Sequence, residues 1–487
     1  MSVVRRALLL STSERYIVLG SNFLTIAIVS RILTPAEIGV SVIGMAIVGF
    51  ASSVREFAST SFLIQHKELA RSDIQSAFTV MLIFTLVTAG ALAVLAPHFA
   101  AAYEQQGLSP YLRVIALSML IDLFPGLVAT LMRREMAFGK VAVINISGAI
   151  VGMVVTIGLA HNGFSYMSFA GAWLATSCIT ALLALAIRWQ PWIFRPTLRH
   201  WRRMVEFGGY NGVTALLAKA YEMVPYLLLG WFLTPQAAAL FNRSMMICQL
   251  PDRLVLSGAI SVVLPAFSAA VRDGKDVKQP YLNALALITA LLWPVLLVIA
   301  VLAHPIVEVL LGRQWLETVP LIRIIAVASL FAFSCEMNYP VMVSLGAIRD
   351  VCIRALISFP ASAAMVAAAV YFGGLEAAAW SMMVVIPFQA FVSLTFLRHR
   401  LGLEWGEIAS ALGRSAVVAL ASIAGPIGVV GLTDFNFALS LGAAIVAAIL
   451  AAVGWLIAMS MTRHPLLDEI VLVIPILRRV ARPAPAL

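Results

Sequence analysis

SRILTPAEIG, residues 30–39, is echoed by GWFLTPQAAA at residues 230–239, so that Leu33-Thr34-Pro35 reappears as Leu233-Thr234-Pro235 between long apolar runs. Two further echoes follow in the same order. Leu112-Arg113-Val114-Ile115-Ala116 matches Ile322-Arg323-Ile324-Ile325-Ala326, and Ala172-Trp173 matches Ala379-Trp380. Three echoes at a nearly constant offset describe two homologous halves, an organisation common among secondary transporters. Each Leu-Thr-Pro is read as a turn between helices, with proline just after a helix that stops and threonine capping the next.

The halves lie in a bilayer. Of the 487 residues 62% are hydrophobic and only 11% charged, too apolar for a solvated surface. A hydrocarbon core of roughly 30 Å takes about 20 apolar residues per helix. Fourteen such runs are expected, near 15–33, 38–58, 74–95, 110–131, 141–160, 165–187, 205–232, 236–257, 281–303, 318–341, 351–372, 375–397, 415–432 and 437–460. They are continuous rather than alternating, which excludes a β-barrel. The fold class is therefore an all-α polytopic membrane protein: two six-helix lobes as parallel pseudo-repeats around a central cavity, plus two C-terminal helices. The N-terminal lobe takes 1–187, a cytoplasmic interfacial linker 188–204, the second lobe 205–398, and the extra pair with a basic tail 399–487. The linker RWQPWIFRPTLRHWRR, 188–203, is read as an interfacial segment anchored by its aromatics.

Lys and Arg set the orientation. With the N-terminus inside, 25 of the 33 basic residues fall in inner segments and only Arg31 and Arg313 in outer ones. Both termini are then cytoplasmic, and the net charge of +10 serves membrane orientation rather than a nucleic acid. The two longest outer loops are about fourteen residues, little room for a polymerase or glycosyltransferase site. No Walker A sequence or catalytic triad is present. Cys178, Cys248, Cys335 and Cys352 have no paired spacing and are assigned to packing, and the scattered histidines imply no metal.

Charges inside spans cost at least about 2.5–3.5 kcal/mol at a helix centre and require a partner or a polar cavity. Lys219 and Glu222 share one face of the seventh span. The equivalent stripe in the first span carries Arg15 and Asn22, Asn22 being offset by 200 from Glu222. Both first helices are expected to line one cavity; the competing reading makes Lys219 and Glu222 a self-neutralising pair. Arg243, Arg55 and Arg253 fit either a cationic ladder or a gate between lobes. Arg113 and Arg323, near outer span ends, suit snorkelling to headgroups as well as binding. Asp122 and Glu336 are candidates for coupling to a proton or sodium ion, or for helix–helix hydrogen bonding.

The segment SRILTPAEIGVSVIGMAIVGFASSVREFASTSFLIQHKEL, 30–69, resembles the opening of bacterial polysaccharide transporters of the multidrug/oligosaccharidyl-lipid/polysaccharide exporter superfamily. LFNRSMMICQLPDRL, 240–254, is similar to their eighth-span region. The resemblance implies a Wzx-like flippase of the exopolysaccharide or colanic-acid type in the bacterial inner membrane. Its cargo would be an undecaprenyl-diphosphate-linked oligosaccharide, moved from the cytoplasmic to the periplasmic leaflet. The family's cationic cavity residues map onto Arg15, Lys219 and Arg243. The resemblance implies no cofactor beyond a coupling H+ or Na+, and partners in the polysaccharide polymerase and export machinery. An ion-coupled multidrug antiporter of the same superfamily is the nearest alternative; it would favour acidic cavity residues.

Overall fold

The first helix, α1 (Val3–Ile32), stops just short of Thr34, and α2 (Pro35–Val54) begins on the proline, which needs no N–H at that position. The Thr34 amide and hydroxyl both donate to Glu37 Oε2 at 2.8 Å, while the Glu37 amide donates to Thr34 Oγ1 at 3.3 Å. This is a reciprocal cap. The second copy behaves alike: α7 (Trp201–Phe232) stops before Thr234 and α8 (Pro235–Cys248) starts on Pro235, with the Ala237 amide donating to Thr234 Oγ1 at 3.1 Å. Alanine in place of glutamate leaves the second cap one-sided.

The computed structural model describes residues 3–54, 70–199 and 201–467. Between the two turns lie α3 (Arg71–Ala102), α4 (Leu108–Arg134), α5 (Phe138–His161) and α6 (Met167–Ile187). After α8 come α9 (Ser257–Arg272), α10 (Lys278–Val301), α11 (Ala303–Leu310), α12 (Thr318–Ser329), α13 (Phe333–Ser344), α14 (Ile348–Leu401), α15 (Trp405–Gly431) and α16 (Leu441–Met461). The chain is a multi-pass helical membrane protein, and its helices form two compact units, Met1–Asn242 and Arg243–Leu487.

In the first unit α1 packs along α5, α5 along α6, α6 along α4, α4 along α3, and α2 along α7. Small residues make these approaches close, as membrane packing requires: a Cβ on Gly148 of α5 would sit 2.7 Å from Thr180 of α6. The linker packs on the first unit through Ile193 and Phe194, while Trp189 stays exposed. Ile193 is fully buried, Phe194 meets Phe78 and Phe124 edge-on, and Gln75 Nε2 donates to the Trp192 carbonyl at 2.9 Å.

In the second unit α10 packs along α15, α15 along α16, and α12 and α13 against α14. At about 1.5 Å per residue α14 would run to about 81 Å, far beyond a bilayer core. It is instead a hairpin. Gly374 takes φ 68°, ψ −148°, and on either side Asp350 pairs with Arg400, Arg354 with Ser393, and Ser362 with Gln389. The spans expected at 351–372 and 375–397 are its two arms.

The expected count of fourteen is not reproduced by helix length. Among the described residues eleven helices are long and apolar enough to cross a membrane, the hairpin α14 being counted once although it supplies two arms, and one more span is added if α12 and α13, bent by 51°, form one. The expected span 236–257 is the clearest departure. Pro251 removes a backbone donor and crowds the preceding turn, so α8 ends at Cys248 and a π-turn, Asp252–Leu256, precedes α9.

Candidate substrate-binding face

The two stripes singled out in the sequence are carried by α1 and α7. Counted back from the end of α7 at Phe232, Glu222 lies about 15 Å and Lys219 about 20 Å along the helix. Counted back from the end of α1 at Ile32, Asn22 also lies about 15 Å along its helix. Asn22 and Glu222 therefore sit at matching depth in repeated helices. Lys219 Nζ lies 2.8 Å from Glu222 Oε2, and their side chains remain 38% and 54% exposed. Arg15 and Asn22 are also exposed. Open charges near the middle of a membrane segment require water around them rather than hydrocarbon. The Lys219–Glu222 pair is thus a hydrated ion pair on an accessible surface.

The stem of Lys219 passes over α2, where a Cβ on Gly49 would be 3.3 Å from Lys219 Cε and 3.0 Å from the Met223 sulfur. The same seam closes toward its other end. A Cβ on Gly39 would lie 1.9 Å from the Pro235 carbonyl oxygen, and one on Gly230 2.5 Å from Ile43. Tyr103, at the end of α3, donates from its hydroxyl to the Leu227 carbonyl at 3.3 Å and meets Trp231 edge-on. The first turn of α8 at Pro235 therefore meets the backbone of α2 at Gly39.

Of the other expected residues, Asp122 accepts a hydrogen bond of 3.0 Å from Trp173 Nε1, tying α4 to α6. Arg243 is 6% exposed, with its guanidinium 5.5 Å from the Trp315 ring centre and Nη1 donating to the Met246 sulfur at 3.7 Å. Arg253 is exposed and donates to Gln249 Oε1 at 3.1 Å. Arg323 lies 4.5 Å over the Phe437 ring. Arg55 and the side chain of Glu336 lie outside the described residues. The structure therefore joins Lys219 to Glu222 and Asp122 to Trp173, and sets Arg243 in packed surroundings. Cys178, assigned to packing, is exposed.

Two polar links went unread in the sequence. Asn145 Nδ2 on α5 donates to Glu14 Oε1 at 2.5 Å, fixing the residue beside Arg15. Arg354, counted among inner-loop charges, is buried and donates from Nη1 to Ser393 Oγ at 3.0 Å. Its place inside the apolar run 351–372 was the available signal.

The fold is shared with solved transporters. An inward closed structure of the lipid II flippase MurJ superimposes with a TM-score of 0.71 at 13% identity, over 93% of this chain and 97% of MurJ. An inward-facing multidrug resistance MATE family transporter of the MOP superfamily gives 0.61 at 14%, over 78% of this chain and 94% of that one. Residues 28–320 match the polysaccharide biosynthesis protein family, and the chain belongs to that family. The succinoglycan biosynthesis transport protein ExoT of Rhizobium meliloti (strain 1021) is 26% identical over 373 residues, 75% of this chain and 74% of ExoT. These relatives are transport proteins rather than enzymes, in keeping with the family resemblance read from residues 30–69 and 240–254.

Proposed function

We propose that the protein is a flippase moving an undecaprenyl-diphosphate-linked oligosaccharide from the cytoplasmic to the periplasmic leaflet of a bacterial inner membrane, for surface or exopolysaccharide synthesis. The observation that carries this reading is the exposed Lys219–Glu222 ion pair inside the apolar segment of α7, with Glu222 at the position that repeats Asn22 of α1. An ammonium held by an exposed carboxylate can exchange that partner for a diphosphate oxygen at small cost, since an exposed ion pair contributes little. Arg15, at the mouth of α1, adds a second cation. The glycan stays in water while the polyprenyl chain remains in lipid.

An inside-negative potential favours outward passage of each negative charge by about 2.3 kcal/mol per 100 mV. For the return of the empty carrier we assign binding of H+ or Na+ to Glu222, in competition with Lys219. Asp122 is already committed to Trp173. Both termini on the cytoplasmic side follow from the basic residues, and the delivered oligosaccharide would pass to a polymerase and export machinery. The drug antiporter reading is disfavoured by the exposed basic residues Lys219 of α7 and Arg15 of α1. Binding of a fluorescent lipid-linked oligosaccharide to the purified protein tests the assignment. Lys219→Met should weaken it at least tenfold with the fold intact; unchanged binding would remove Lys219 from the site.

A further inference from the structure

A second polar site lies in the unit Arg243–Leu487, where the first turns of α10, the first turns of α15 and the turn after α16 enclose a cavity of about 340 Å³. Gln279 and Asn283 line it from α10, Glu407, Ser410 and Arg414 from α15, and His464 from the turn. The charges do not balance. Glu407 is taken by Lys278, 2.8 Å away, and Arg414 is exposed and has no carboxylate partner among the described residues.

His464 closes the cavity as a neutral ring. Its Nδ1 accepts the Leu466 amide at 3.2 Å, which leaves the proton on Nε2, 3.2 Å from Ser415 Oγ. That hydroxyl donates in turn to the Ala286 carbonyl at 3.1 Å, fastening the turn to α15 and α10. The cavity carries one uncompensated cation beside neutral amide and hydroxyl groups. That combination suits a phosphate ester.

Its position says which phosphate ester. Arg272, Lys275, Lys278, Arg398, Arg400, Arg414 and Arg463 cluster at this end of the unit, the end that the charge rule puts against the anionic inner leaflet. Farther along the same three helices, an apolar cleft is lined by Leu291, Val295, Val298, Ala451 and Trp455. From the middle of the cavity to the middle of the cleft is about twelve residues of α10, or about 18 Å, close to the depth of one leaflet. A headgroup and an acyl chain thus each find a lining suited to them in one helix group. We propose that this is a binding site for an anionic diacyl phospholipid of the inner leaflet, its phosphate on Arg414 and a chain in the cleft. This site is separate from the Lys219 face, and its test does not depend on the cargo.

The experiment is native mass spectrometry of the full chain in mixed micelles with phosphatidylglycerol, phosphatidylethanolamine or inorganic phosphate. The parent should retain phosphatidylglycerol at least tenfold more than phosphatidylethanolamine. Arg414→Gln should lose that preference, Arg414→Lys should keep part of it, and Ala451→Phe, which fills the cleft, should weaken retention of the diacyl lipid. Melting curves with and without phosphatidylglycerol give a second reading: the lipid should raise the parent's Tm and leave that of a folded Arg414→Gln unmoved. Equal retention by parent and Arg414→Gln would overturn the proposal. So would displacement of the lipid by millimolar inorganic phosphate with Ala451→Phe unaffected, which would make this a free-phosphate site.

Discussion

Alanine at position 39 tests whether the contact between Gly39 of α2 and the Pro235 backbone governs the seam of α2 and α7. Its Cβ would stand 1.9 Å from the Pro235 carbonyl oxygen and 2.2 Å from the carbonyl carbon, against an ordinary contact distance of 3.4 Å or more. The two backbones must separate by about 1.5 Å, and because the obstacle is backbone no rotamer relieves it. Overpacking of this kind costs about 1–3 kcal/mol, while alanine for glycine within a helix returns about 0.8–1.0 kcal/mol. Gly20→Ala isolates the second effect, since a Cβ there meets nothing within 4 Å. Gly39→Ala should therefore melt as if about 1–3 kcal/mol weaker than Gly20→Ala, by chemical denaturation in matched micelles. Every 1.4 kcal/mol of seam weakening multiplies the open population tenfold. In a background without native cysteines, the buried residue Val40, replaced by cysteine, should react with a polar maleimide several-fold to a hundredfold faster when Gly39→Ala is present. Equal stability of the two alanine variants, with an unchanged labelling rate, would show that the seam tolerates the extra carbon and that the contact carries no closing energy.

Thr34→Val removes a reciprocal cap and should cost about 1 kcal/mol; Thr234→Val, with a single cap bond, should cost less, both read by denaturation. Glu222→Gln should abolish dependence of transport on an imposed proton or sodium gradient. Asp122→Asn, which keeps an oxygen to accept from Trp173 Nε1, should retain it; reversal of this order would transfer coupling to α4. His464 has a folded-state pKa below its ordinary 6.5, because of burial first and Arg414 second. Since the unfolded chain takes the proton first, stability should be level above about pH 6.5 and fall as pH drops below it. His464→Gln should flatten that part of the profile.

The turns were legible because their chemistry is local: threonine caps, proline starts, and both act within four residues. The membrane spans were legible for a similar reason, since each needs only a run of apolar residues; even the arms of α14 were separated correctly on either side of Gly373-Gly374. Pro251 was visible too, yet the run through 236–257 is apolar enough to mask a helix that ends at Cys248. The close approach of Gly39 to Pro235 was not legible. A glycine within a helix looks the same whether it faces lipid, as open space around Gly20 allows, or another backbone, and only the tertiary contact distinguishes them. Charges divided in the same way. Lys219 and Glu222 are joined through helical spacing, which the sequence displays. Arg243 followed the family pattern of cavity cations but is covered by Trp315, a residue more than seventy positions away. Side-chain direction at such sites is decided by neighbours distant in the chain.

The central claim is that the hydrated face around Lys219 carries a diphosphate-linked glycan across the membrane. Its most direct test is reconstitution in sealed vesicles with a fluorescent undecaprenyl-diphosphate oligosaccharide, following label accessibility to an impermeant quencher under an imposed potential. The account predicts protein-dependent movement that is accelerated when the destination side is positive, slowed at least tenfold by Lys219→Met, and preserved in Gly20→Ala. Movement no faster than in protein-free vesicles, or equal in parent and Lys219→Met, would contradict it.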